Sequence, residues 1–240
     1  MLLRDVYDFL DNLSPFNTQD DWDNSGLLVG EFEQDVERIY LSLDIDTDLI
    51  DSIEMNSLLV THHPLIFKGL KRVVYSTYPS NILKKMIQKN ISLISMHTNF
   101  DKSHLNIYVA KNILGFDIED TQEYVCYFRI DKDFNEFALH VKQKLGIEYL
   151  KTVKASDFIG LGAITTGSGG DLIESVKADC FLSGDFKYHQ ALYAKENGLS
   201  LIEIGHYESE RFFGECLMEN LKNLPLKVIM SNSKNPFDYI

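Results

Sequence analysis

The sequence predicts an α/β protein in which a second, α+β unit is inserted into the first. Two observations carry this. The apolar pattern switches repeatedly between period 2 and period 3.6, as strands and amphipathic helices require. Residues able to bind metal also stand at the ends of predicted strands in two separated stretches, so a late strand must return to the early sheet if they are to meet.

Taken in order, MLLRDVYDFLDNL reads as an amphipathic helix at about 2–13, leading through Ser14-Pro15 into DDWDNSGLLVG. Strands follow at 39–45 (IYLSLDI) and 57–62 (SLLVTH), then a helix near 79–89 that opens with Pro79 at a favourable first-turn position. ISLISM at 91–96 is the next strand, and Ser103 can cap a helix that runs to Leu114 and stops at Gly115. From Glu123 the character changes. EYVCYFRI alternates like a half-exposed strand, a helix at 133–145 stops at Gly146, and strands follow at 149–154 and 158–165. A glycine turn, a short helix at 171–177 and a strand at 179–183 complete this stretch. LSLIEIG at 199–205 is then expected to rejoin the first sheet, followed by a helix at 207–222, a strand at 226–230 and the tail SNSKNPFDYI. The expected domains are therefore 1–122 plus 199–240 and an insert at 123–198.

Composition narrows the function. Hydrophobic residues make up 45% and charged residues 25% of the 240, an ordinary balance for a soluble globular protein. A net charge of −13 repels phosphate backbones and anionic lipid, which argues against DNA, RNA or a membrane as partner. Cys126, Cys180 and Cys216 lie far apart inside apolar patterns and form no CxxC pair, as expected of reduced, buried thiols in a cytoplasmic protein. The N-terminus carries Arg4, Asp5 and Asp8, so it reads as an amphipathic helix and not as a signal peptide.

The chemistry concentrates in five residues: His62 and His63 in LLVTHHPLIF, Asp101 in MHTNFD, and His206 with Glu210 in IEIGHYESE. Adjacent histidines cannot easily share one face of a strand, but at its end the chain leaves the pleat and both imidazoles can turn to one crevice. His206 and Glu210 are four apart and share a helix face. Three imidazoles and two carboxylates suit Zn, Mn, Fe, Co or Ni better than Ca or Mg. Five ligands exceed the need of one open catalytic ion. A pair of ions uses them naturally, with Glu210 as the bridge.

Other groups have a plainer reading beside the functional one. His97, four residues before Asp101, is a candidate to orient a ligand or move a proton, or else an ordinary strand-end histidine. Lys187 and His189 in GDFKYHQA open a predicted helix and are candidates for phosphate contact and proton transfer. Asp23 and Asn24 either border the cavity or form a plain turn, with Trp22 as a core plug; GSGG at 167–170 reads better as a tight turn than as a phosphate cradle. His104 and His140 read as surface or helix residues without a role.

Together, WDNSGLLVG at 22–30, THHPLIF at 61–67, HTNFD at 97–101, GSGG at 167–170, SGDFKYHQA at 183–191 and GHYESER at 205–211 resemble the Nif-three-like family, also called GTP cyclohydrolase 1 type 2 homologues. The resemblance spans nearly the whole chain. It implies two interlocked α/β domains, a toroidal homohexamer, and a dinuclear metal site facing the inner cavity. The family's metal ligands map onto His62, His63, Asp101, His206 and Glu210. The implied activity is metal-dependent hydrolysis of the GTP imidazole ring in a cytoplasmic enzyme. The rival is a metal-binding assembly or metallochaperone without turnover, since a fold does not fix a substrate.

Overall fold

The computed structural model describes residues 1–231 and 233–238. It is a mixed α/β chain with two sheets, divided into two compact units: residues 1–100 with 213–240, and residues 101–212. The second is thus contiguous and inserted in the first.

In the first unit, helix α1 (Leu3–Leu13) buries Leu3, Val6 and Leu10, an i, i+3, i+7 stripe that seats one helical face. The sheet has the order β1 (Gly26–Val29), β4 (Ser92–Ser95), β3 (Ser57–Thr61), β2 (Arg38–Ser42), β11 (Lys227–Met230). All neighbours are parallel except β1, which runs against β4. β3 and β4 are buried along their whole length, which explains their continuous apolar runs. Helices α2 (Thr47–Ser52) and α3 (Ser80–Lys89) contribute Ile50, Ile82 and Met86 to a core with Leu59 and Leu93. Each such burial stabilises by about 1.5–3 kcal/mol before entropy is counted.

α4 (Thr98–Phe100) is the last element of the first unit's N-terminal segment, and the second unit begins with the π-turn Asp101–Leu105, α5 (Asn106–Tyr108) and the π-turn Val109–Ile113. Its sheet has the order β5 (Ile118–Gln122), β6 (Val125–Asp133), β8 (Phe158–Thr165), β9 (Cys180–Ser183), β10 (Ser200–Glu203), β7 (Lys151–Val153). β8, β9 and β10 are mutually parallel, so their C-terminal ends lie on one edge. Helix α6 (Phe134–Leu145) is capped by Asp133, whose carboxylate accepts from the amides of Asn135 and Glu136, and ends at Gly146 in the left-handed region. Helix α7 (Tyr188–Glu196) follows β9, and α8 (His206–Glu210) follows β10. Helix α9 (Phe213–Leu221) belongs to the first unit.

Several expectations are corrected. The strand at 199–205 does not rejoin the first sheet: β10 sits between β9 and β7, and the division falls at 100/101 and 212/213 instead of at 122/123 and 198/199. A short apolar strand fits either sheet, and only the long-range pairing with Cys180–Ser183 decides. Ser103 lies inside the helical run and not at its start, because the helix already begins at Thr98; Asp101 therefore lies in a helical turn and not at a strand end. The expected helix at 171–177 is a single 3-10 turn, Gly170–Leu172, and that at 207–222 is broken between Glu210 and Phe213. Tyr239, Ile240 and Asn232 of the expected tail lie outside the described residues.

Candidate metal centre

In the first unit, three parallel strands deliver the site from their C-terminal ends, where ligands bind in open α/β sheets. β2 leads to Asp44, β3 to His62 and His63, and β4 to His97. The amides of His62 and His63 donate to the carbonyls of Ser42 and Leu43 (3.3 and 3.1 Å), which holds the pair at the point where the strand ends. Both imidazoles face one place. His62, His63 and His97 each offer a nitrogen within 4.8 Å of the others.

Each ring is oriented from behind. Nδ1 of His62 donates to the Met96 carbonyl at 2.9 Å, Nδ1 of His63 to Asp44 at 2.7 Å, and Nδ1 of His97 to Asp23 at 2.8 Å. Carbonyl and carboxylate oxygens accept, so Nδ1 carries a proton in each ring and each imidazole is held in a fixed orientation. This is the arrangement that prepares a histidine to bind a metal. Burial raises the Asp23 carboxyl, but the hydrogen bond and charge of His97, with two bonds from Thr98, outweigh it and hold the group well below the usual carboxylate range. Asp23 is therefore an anchor beneath His97. The core-plug reading of Trp22 fails, since the ring is 57% exposed.

In the second unit, β8, β9 and β10 lead to Gly167, to Gly184-Asp185 and to Gly205-His206. Nδ1 of His206 donates to Asp185 at 2.6 Å, and its Nε2 lies 3.1 Å from Glu210 one turn along α8. Glu210 is 3% exposed. The glycine turn is structural. The amides of Gly167 and Gly169 donate to the hydroxyls of Ser209 and Ser183, so both are spent within the fold and are not a phosphate cradle. At Gly184 a Cβ would meet the Gly167 carbonyl at 2.5 Å and the His206 Cα at 2.8 Å, which explains a glycine at that strand end.

Asp101 is nearly buried in its π-turn, a feature frequent at functional sites. Asn106 donates to the Asp101 carbonyl and accepts from the amide and hydroxyl of Thr166, which ties the turn to the residue before Gly167. Lys187 and His189 are exposed at the start of α7; Lys187 lies 4.0 Å from Asp171, and the His189 ring packs edge-on against Tyr188. His140 is no idle surface group, for its Nε2 bonds the Leu114 carbonyl at 2.8 Å.

The sequence reading missed the carboxylates Asp44 and Asp185 as orienting groups. Each stands within two residues of a strand end, and that position was the available signal.

The chain matches the family described as Duf34/NIF3 (NGG1p interacting factor 3) over residues 1–236. It belongs to the Duf34/NIF3 family. Within it, a GTP cyclohydrolase 1 type 2 homolog of Campylobacter jejuni is 55% identical over 240 residues, covering 100% of both chains. A GTP cyclohydrolase 1 type 2 of Helicobacter pylori is 42% identical over 241 residues, covering 100% of this chain and 99% of the other. Among solved structures, a Staphylococcus aureus hypothetical protein, SA1388, superposes with a TM-score of 0.89 at 27% identity, covering 100% of this chain and 99% of that one. This Duf34/NIF3 chain has no helix among the described residues long and apolar enough to cross a membrane.

Proposed function

We propose that the chain is a cytoplasmic metal-dependent hydrolase that opens the purine ring of a nucleoside triphosphate, with GTP as the first substrate to test. One observation carries the proposal: His62, His63, His97 and His206 all donate from Nδ1 to a carbonyl or carboxylate, the support that orients metal-binding histidines. The name of the Helicobacter pylori relative supports the substrate.

The donor set fits divalent transition metals, with imidazoles and buried carboxylates together. His62, His63, Asp101, His206 and Glu210 would hold two such ions (Zn, Mn, Fe, Co or Ni). When bound, these supply the Lewis acidity that lowers the pKa of water towards about 7. The protein's own groups do the rest. Asp44, Asp23 and Asp185 fix the tautomers, His97 or His189 carries a proton to the departing ring nitrogen, and Lys187 meets a phosphate. We further propose a toroidal homohexamer, in line with the family resemblance.

A second reading, a metal-binding assembly or metallochaperone without turnover, is favoured by the state of the cations. The Arg211 guanidinium donates to the Leu145 carbonyl at 2.6 Å, and Lys102 lies over the Tyr124 ring. Conversion of GTP by metal-reloaded protein, with base and phosphate followed separately, tests one reading against the other.

A further inference from the structure

Two aromatic side chains of the first unit stand in water beside the histidine cluster. Trp22 is 57% exposed and Phe67 41% exposed, with ring centroids 5.7 Å apart. Each lies 6.0 Å from the His97 ring. Large aromatics left in water call for an explanation, because a core would normally absorb them.

Neither is carried on a loose segment. Asp23, next to Trp22, accepts from His97, from the Thr98 amide and hydroxyl, from the Asn24 amide and from the Ser25 hydroxyl. Asn24 in turn donates through Nδ2 to the carbonyl of Ile66, the residue before Phe67. One hydrogen bond therefore ties the turn bearing Trp22 to the loop bearing Phe67. Two rings held in place before a ligand arrives lose little freedom on binding.

The segment after Phe67 adds charge. Lys68, Lys71 and Arg72 are all exposed, and none makes an ion pair among the described residues. Three cations within five positions stand out in a chain of net charge −13. Aromatic faces followed by exposed cations form the surface that a flat base carrying phosphates requires.

We propose that Trp22 and Phe67 form a stacking platform that seats the substrate's base beside His97, with Lys68, Lys71 and Arg72 contacting its phosphates. This rests on the nucleotide reading given above. It places base recognition on the loops after β3 and before β1.

Trp22 is the single tryptophan of the chain, so its emission reports on the platform directly. The purified protein, excited at a wavelength where nucleotides do not absorb, is titrated with guanosine, GTP and inorganic tripolyphosphate. Saturable quenching by guanosine and GTP, with none by tripolyphosphate, is the expected result. Lys71→Ala with Arg72→Ala should remove the advantage of GTP over guanosine. Trp22→Ala should raise KM for GTP about tenfold, and Trp22→Phe should restore most of the loss. Absence of quenching by guanosine and GTP in protein that converts GTP overturns the platform and leaves the hydrolase reading standing. Quenching without conversion supports the platform and overturns the hydrolase reading, and absence of both overturns both.

Discussion

Gly167 leaves no room for a side chain against Glu210: a Cβ built on its backbone would fall well inside van der Waals contact with Glu210 Oε1. Its φ of +60° is itself unfavourable for other residues. Gly167→Ala should therefore cost about 1–2 kcal/mol of stability and displace the carboxylate proposed to bridge two ions. Urea denaturation measures the first effect. Elemental analysis after saturation measures the second, with about two ions per wild-type chain expected and clearly fewer in the variant.

Asp23 gives a pH prediction. Its carboxyl is depressed in the folded chain, so its contribution is full above the unfolded value of about 4 and disappears as the pH falls further, towards the folded value. Asp23→Asn should flatten the acid limb of the stability curve of chelator-stripped protein and leave its slope near neutrality unaltered. Urea midpoints across that range decide. An unchanged acid limb would show that Asp23 is not the anchor described.

These two residues also mark what the sequence could and could not reveal. His62-His63 and the His206–Glu210 spacing were legible because strand ends and the helical repeat are local facts. Asp23 beneath His97 was not, since that contact joins residues 74 apart. The sheet that takes in Ser200–Glu203 was equally hidden, because a short, largely buried strand looks the same in either sheet. The helix start at Thr98 escaped notice for a related reason. Its hydroxyl is engaged by Asp23 and the Asp20 amide, a tertiary anchor with no local capping signature.

Burial pushes the Cys126 and Cys216 thiols up to about 12, and raises that of Cys180 as well. A thiol kept protonated and covered is a poor nucleophile. Iodoacetamide at pH 8 should label no cysteine in the native protein and all three in denaturant, as counted by intact mass. Rapid labelling of one native cysteine would contradict its burial.

The homohexamer predicts a light-scattering mass near six times the 27.6 kDa chain. Metal stripping should leave that mass largely intact if protein interfaces hold the ring. A stable monomer at micromolar concentration would rule the toroid out.

The most direct test of the hydrolase is the fate of the base. Protein stripped with chelator and reloaded with Zn, Mn, Fe, Co or Ni is incubated with GTP, and nucleotide products and free phosphate are followed by mass spectrometry and a phosphate assay. The expected result is a ring-opened or pterin product that retains its phosphates, lost in His63→Ala and Asp101→Asn and kept in His140→Ala. Phosphate release with an intact purine, or no turnover with any of the five metals, would contradict it.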